Sequence, residues 1–574
     1  MSDKARLNVV LCWHMHQPQY RDLITGEYAL PWTYLHAIKD YVDMAAIMEA
    51  IPEARAVVNF SPVMLEQLVD YAQQIEGFLK GQQVLRDPLL AALANIPQSL
   101  NTQEYTALIR ACLRANKERL INRFPVYGRL AGLATRFLRD AETIVYLSGQ
   151  FLDDILVWYH LAWMGETVRM QDLRIQQLIE KGQGFNHADR RLLVEVIGEL
   201  VSSVIKRYRA LSDAGQVELS MTPSAHPIMP LLISLDCAHD AMPYADLPLL
   251  PCYPGGEERA RWHVTEGRKM FQHYFGVEPQ GCWPSEGGVS ADALKLLGES
   301  GFRWAASGEK VLHNSLMKSG HIDNLAHTQW LHQPYTVKNT NIECFFRDDG
   351  LSDLIGFTYS SWHSDDAVNN LVHHLENIAA TCADKENHVV SIILDGENAW
   401  EYYPDNAYHF LTALYQRLSS HNGLKLTTFS DYLATTQTRR PPAELEQMVA
   451  GSWVYGTFST WVGDAAKNHG WDMLCDAKHA FDAVVDSGRL QADELRAATE
   501  QLAVCEGSDW FWWFGDYNPT DIVSDFEKLF RLHLSNLYRL IGQPAPDYLS
   551  QVMSHGSDDP GTHTGTMRPA QHHA

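Results

Sequence analysis

The chain has 574 residues, 46% of them hydrophobic and 20% charged, and its formal net charge of −24 argues against nucleic acid or an anionic membrane as a partner. That length exceeds one ordinary core and predicts a large domain with at least one further domain. No segment reaches the roughly 18 apolar residues of a membrane span or the pattern of a signal peptide, and nine cysteines without CxxC spacing fit reduced thiols, so a cytoplasmic protein is expected.

Residues 7–13 form an apolar run that ends in His14-Met15-His16-Gln17-Pro18, where the proline closes any ladder. Residues 55–60 repeat the pattern and stop at Ser61-Pro62. From about 63 to 210 strand signals are sparse, while apolar residues recur at i, i+3 and i+4 in stretches such as 104–121 and 189–210, which predicts a large helical insertion. Strand-like runs resume at 216–221, 281–283, 302–306, 342–346, 389–394 and 424–428, several followed by helical patterns. Strand–helix alternation of this kind predicts a parallel barrel or doubly wound sheet. Pro441-Pro442 marks a change, after which 476–505 and 524–541 are amphipathic. The expected division is a strand–helix unit over 1–440, a helical domain over 441–548 and a disordered tail over 549–574, whose scattered histidines read as tail rather than metal site.

Five polar clusters fall at inferred strand ends or aromatic-rich turns. In HMHQP, His14 and His16 face the same way if the strand continues, as a metal site or a pair of imidazoles hydrogen-bonding a neutral polar ligand requires. In GQVELSMTPSAHP the strand carries Glu218 and ends near His226. In GCWPSEGGVS, Glu286 lies between the rigid pair Trp283-Pro284 and Gly287-Gly288, which leave room for a bulky ligand, with Ser290 as N-cap of a following helix. In HVVSIILDGENAWEYY, a doubly buried strand breaks at Asp395-Gly396-Glu397-Asn398, and buried carboxylates are costly unless paired or working. The fifth, GSWVYGTFSTWVGDAAKNHGWDML, interleaves Trp453, Tyr455, Trp461 and Trp471 with Asp464 and Asn468, which suits a sugar subsite. The aromatic segment 506–516, EGSDWFWWFGD, reads as packing between the helical region and the barrel.

These five clusters, in this order over residues 7 to about 520, resemble the conserved regions of glycoside hydrolase family 57, and most closely those of its α-amylase and amylopullulanase members. The resemblance implies a (β/α)7 barrel, an incomplete relative of the TIM barrel, followed by a helical domain that completes the active site. It implies a retaining mechanism on α-glucans with no cofactor or required metal. Glu286 falls on the family's nucleophile and Asp395 on its general acid/base. His14, His16, Glu218, His226, Trp283, Trp461 and Asp464 fall in the substrate-binding regions. The HQP form of the first region is that of amylases, pullulanases and transferases; branching enzymes of the family typically differ there.

Retaining chemistry needs two carboxyl groups about 5–5.5 Å apart with pKa values pushed apart, the acid's upward. Glu397, two residues beyond Asp395, is expected to point elsewhere. Three alternatives stay open: a 4-α-glucanotransferase using the same site, a metal-dependent barrel enzyme of the α-mannosidase or deacetylase kind with His14, His16 and an Asp as ligands, and a non-catalytic glucan-binding protein.

Overall fold

Leu7–Met15 is buried along its whole length, and its alternate residues go to two different cores. Val10 and Cys12 join an inner cluster with Val57, Trp304, Phe345 and Ile393, while Val9, Leu11, Trp13 and Met15 join the outer layer under the helices. A strand buried on both faces needs a continuous apolar run, which is why these strands were legible without alternation.

The computed structural model describes residues 5–96, 100–139, 143, 146–250, 252–320, 326–435, 440–557 and 566–569. Its strands are β1 (Leu7–Met15), β2 (Ala56–Phe60), β3 (Val217–Met221), β4 (Gly281–Cys282), β5 (Trp304–Gly308), β6 (Tyr335–Val337), β7 (Glu343–Arg347), β8 (Val389–Asp395), β9 (Leu424–Thr427) and β10 (Ala443–Leu445). Strands β1–β2–β3–β4–β5–β7–β8 pair in parallel, and β8 returns to β1, closing a seven-stranded barrel. β9 pairs in parallel with the first half of β1, while β6 runs antiparallel to β7 and carries β10 beyond the barrel wall. β4 is two residues long because Trp304 lies across it: a Cβ on Gly281 would fall 1.7 Å from the indole.

The helical insertion lies between β2 and β3, from the helix Pro62–Leu79 to the helix His187–Asp213, the latter started by an Asn186–Asp189 capping box. After β10 come the helices Ala465–Asp486, Ala492–Cys505, Asp509–Trp513 and Thr520–Leu540; the amphipathic stretch expected over 476–505 is thus two helices broken near Gly488. Of the expected tail, 558–565 and 570–574 lie outside the described residues. Arg568 lies over the rings of Trp512 and Tyr517, at 4.7 and 5.8 Å, and donates to Thr460 Oγ1 at 3.2 Å. Among the described residues no helix is long and apolar enough to cross a membrane.

Candidate active site

Register places the polar groups on one level. Asn59 of β2 pairs with His14 of β1 on one side and Ser220 of β3 on the other, and His14 pairs with Asp395 of β8. Partners in a parallel ladder point to the same face, so His14, Asn59 and Asp395 all enter the barrel at its carboxyl end, where loops are free to build a site. The cavity there, about 550 Å³, is lined by His14, His16, His226, Glu286 and Asp395 among others. Five of the nine site residues expected from the sequence are brought together.

Two of the five adopt backbone conformations that L-residues rarely take. His226 has φ 61° and Glu286 φ 58°, each costing about 1 kcal/mol or more. The turn at Glu286 is followed by Gly287, also at positive φ, whose added Cβ would meet Trp283 at 2.9 Å and Trp453 at 3.3 Å. The glycine is what lets the two indoles close behind Glu286. Glu286 Oε2 accepts from Trp453 Nε1 at 3.1 Å, and its Oε1 lies 3.4 Å from Ser508 Oγ and 3.9 Å from His226 Nδ1.

Glu286 is pushed up to about 8, by burial first and then by the charges of Asp395 and Asp509, against weaker lowering by Trp453 and Ser508. Asp395 is pushed up by burial to about 6, held back by its bond from Asn398 Nδ2 at 2.9 Å and by the nearness of His16 and Arg347. This order reverses the expectation that the acid would be the more raised of the two. The cause is local: a guanidinium favours the charge on Asp395, whereas the charges of Asp395 and Asp509 oppose the one on Glu286. Near neutrality the ligand-free pair shares one proton. The rate at low substrate is therefore expected to be bell-shaped. Below about pH 6 both groups are protonated and above about pH 8 both are ionised, so a reaction that needs one carboxylate and one carboxylic acid runs fastest between the two. A profile of kcat/KM against pH reads both limbs, and a flat profile from 5 to 9 would contradict the assignment.

The three imidazoles fit a cation poorly. Their ring nitrogens can be drawn within 4.8 Å of one another. Yet His16 and His226 lie face to face, with centroids 3.7 Å apart and planes at 11°, whereas two imidazoles aimed at one ion converge from separate directions. Their nitrogens are engaged instead: His14 Nε2 with His226 Nε2 at 3.1 Å, His16 Nε2 with Asp509 Oδ1 at 2.8 Å, and His16 Nδ1 with Ser61 Oγ at 2.8 Å. Burial and the neighbouring imidazoles lower both His14, to about 3, and His226, so these two are neutral.

Four expected substrate contacts are corrected by the geometry. Glu218 faces the opposite end of the barrel interior, accepting from Trp304 Nε1 at 2.7 Å and Ser430 N at 2.8 Å, where it fastens the β9–helix turn as a plug. Trp283 is fully buried behind His14 and packs edge-on against Trp453 at 5.3 Å. Trp461 is buried beneath Trp512, and Asp464 caps the helix Ala465–Asp486 through Ala466 N. In the fifth cluster Trp453 reaches the carboxylates, and Trp461 and Asp464 hold the frame behind it.

Other lining residues escaped the sequence reading. Glu397 is buried in the cavity wall, accepts from Gln17 Nε2 at 3.2 Å, and is raised well above its ordinary value by burial and by Asp395. Trp32, His36 and Trp163 come from the chain after β1 and from the insertion, and Asp509, Trp512 and Phe526 from the last helices. In the segment 506–516, Trp510 and Phe511 pack among the C-terminal helices, against Phe530 and Trp471, while Ser508 and Asp509 reach the barrel mouth at His226 and His16. Its one sequence signal was Ser-Asp ahead of an aromatic run.

That turn is anchored by Glu506, which is fully enclosed. Its carboxylate accepts from Arg259 Nε and Nη2, Tyr253 OH and His263 Nε2, all at 2.6–2.8 Å in their shortest contacts. Burial raises such a carboxyl, but the Arg259 charge and the His263 bond overcome it and hold Glu506 at about 2.

A closed seven-stranded parallel barrel with paired carboxyls at its carboxyl end defines the class of protein. The chain belongs to glycosyl hydrolase family 57, whose model matches residues 10–446. Among solved structures it is similar to a branching enzyme of this family from Thermococcus kodakaraensis, solved with glucose: 16% identity, 93% of this chain and 90% of that one covered, TM-score 0.58. It is also similar to a branching enzyme from Pyrococcus horikoshii (15%, 98% and 99% covered, TM-score 0.55) and to an α-amylase from Thermotoga maritima (12%, 95% and 96%, 0.54). A search among curated proteins gave no match.

Proposed function

We propose that this protein is a retaining enzyme of α-glucans, cleaving α-1,4 and, where its loops admit them, α-1,6 bonds. The observation that carries the reading is the pair Glu286 and Asp395 in one buried cavity, sharing a proton, with neutral imidazoles beside them. The α-glucan class is supported by the solved relatives, which are branching enzymes and an α-amylase.

Asp395 delivers its proton to the glycosidic oxygen while Glu286 attacks the anomeric carbon, giving a glycosyl-enzyme. Asp395, now ionised, takes a proton from water or from a sugar hydroxyl, and that group displaces Glu286. In the free site the proton favours Glu286. Positive charge growing on the sugar ring favours the ionised form of Glu286 and leaves the proton with Asp395. His14 and His226, being neutral, place no positive charge beside the one growing on the sugar ring.

Transfer to a sugar acceptor is the second reading. The observation in its favour is the aromatic wall of Trp453, Trp512, Trp513 and Phe526, which disfavours water and offers faces on which a pyranose stacks. Product analysis on maltooligosaccharides, soluble starch and pullulan separates amylase, pullulanase and transferase patterns. The expected result is α-anomeric products, shortened or redistributed chains, and no change with chelator. No product from any of these glucans would overturn the substrate class, and activity lost in chelator would restore the metal-dependent alternative.

A further inference from the structure

An unbroken line of hydrogen bonds leaves Glu286 and runs through the barrel mouth. Glu286 Oε1 meets Ser508 Oγ at 3.4 Å, Ser508 Oγ meets His226 Nδ1 at 2.7 Å, His226 Nε2 meets His14 Nε2 at 3.1 Å, and His14 Nδ1 meets the Asn59 amide at 2.7 Å. Ser508, His226, His14 and Asn59 are all buried, at 1, 1, 4 and 0% exposure, so water does not supply substitutes. Each internal link has one hydrogen to share, and each neutral imidazole donates from one nitrogen and accepts at the other. The line can therefore be drawn in only two senses.

With Glu286 protonated, its O–H points to Ser508, Ser508 donates to His226 Nδ1, His226 donates from Nε2 to His14, and His14 donates from Nδ1 to the Asn59 oxygen. With Glu286 ionised, Ser508 donates to the carboxylate, and every link reverses: His226 carries its proton on Nδ1, His14 on Nε2, and Asn59 presents its NH2 to His14. The amide has partners for both orientations. Ser220 Oγ at 3.1 Å and Thr222 Oγ1 at 2.8 Å can each donate or accept, and Thr222 has the Trp283 carbonyl at 2.9 Å as its other acceptor.

We propose that Ser508, His226, His14 and Asn59 form a relay whose imidazole tautomers switch together with the charge on Glu286, so that these positioning residues hold the nucleophile ready in either protonation state. Ionisation releases one proton to the solvent of the cavity, so the hydrogens on the line fall from four (on Glu286, Ser508, His226 and His14) to three, and each imidazole carries one proton before and after, on opposite nitrogens. The other groups facing Glu286 are Asp395 from β8, Asp509 from the helical domain, His16 beyond β1 and the Trp453 indole. Asp395 and Asp509 raise it and the indole lowers it, and none of these lies on the line. The name nucleophile rests on the function proposed above; the tautomer switch does not.

The test is nitrogen NMR of the full chain with labelled histidine, titrated from pH 5 to 9, which distinguishes Nδ1–H, Nε2–H and the doubly protonated ring. In the wild type, His226 is expected to pass from Nε2–H to Nδ1–H and His14 from Nδ1–H to Nε2–H, in one transition, without either becoming an imidazolium. In Glu286→Gln both are expected to keep the low-pH tautomers throughout. Ser508→Ala cuts the line and serves if the first variant fails to fold: His226 no longer follows the transition, and the alkaline limb of kcat/KM, the one set by Glu286, moves up by about half a pH unit or more through loss of a donor to the ionised carboxyl. Tautomers unchanged across the wild-type transition, or switching equally in Ser508→Ala, would overturn the relay. Tautomers that switch in a protein whose Glu286→Gln variant keeps full activity would overturn the nucleophile and leave the relay standing.

Discussion

Glu286→Gln and Asp395→Asn are each expected to lower kcat by about 10³-fold or more while the protein stays folded. The amide at 286 keeps the shape and its neighbours Trp453 and Ser508 but cannot form the ester of the first displacement. The amide at 395 keeps its place beside Asn398 but has no proton to give the leaving oxygen. Stability is expected to move the other way. Both carboxyls are raised in the folded state, to about 8 and about 6, so the native protein binds their protons more tightly than the unfolded chain does. That advantage is complete below the unfolded values near pH 4 and is lost as pH rises through the folded values. Each amide variant should therefore melt at or above the wild-type temperature at pH 8, with the gap closing toward pH 4. Thermal unfolding at the two pH values checks the sign. A variant that keeps a tenth of wild-type kcat would remove its residue from the mechanism.

The second large effect is expected at Glu506. Glu506→Gln leaves Arg259, which is only 7% exposed, without its counter-charge, and breaking one side of a buried ion pair costs about 3–5 kcal/mol. The wild-type carboxyl is held at about 2, below its unfolded value, so the stability it contributes is present above pH 4 and is lost as pH falls toward 2. The gap between variant and wild type, measured by denaturant unfolding, should be widest near pH 7 and narrow below 4. Activity should fall too, because the next residues of that turn are the ones that reach the site: Ser508 N donates to the His226 carbonyl at 2.9 Å, and Asp509 holds His16. A variant as stable as wild type at pH 7 would show that the cluster contributes no net energy.

The barrel was legible because its strands are doubly buried. Runs such as Leu7–Met15 and Val389–Asp395 are too apolar and β-branched to be anything else, and each stops at a polar group. Five of the expected residues meet in one cavity for the same reason, since the end of a buried strand marks the mouth of the barrel. The misplaced four share a different cause. Glu218 sits within a strand, and period 2 places it inside the barrel without saying at which end. Trp283, Trp461 and Asp464 stand in the right segments, but whether an indole faces a cavity or backs a neighbour depends on turns such as Glu286–Gly287, where positive φ redirects the chain. β6 and β10, three residues each, are too short for a pattern. Ser508 and Asp509 come from 222 and more residues beyond Glu286 in the chain, and nothing local in the aromatic segment tells packing from a catalytic neighbour.

The central claim is that Glu286 bonds covalently to the sugar while Asp395 manages the proton. The most direct measurement is peptide mass mapping of Asp395→Asn after incubation with an α-glucosyl fluoride, a substrate whose leaving group needs no acid. Formation of the intermediate then proceeds and its breakdown, which needs the base, is slowed. A hexose adduct on the peptide carrying Glu286, absent from the double variant with Glu286→Gln, is the predicted result. A stable adduct on any other carboxylate, Glu397 above all, would contradict it.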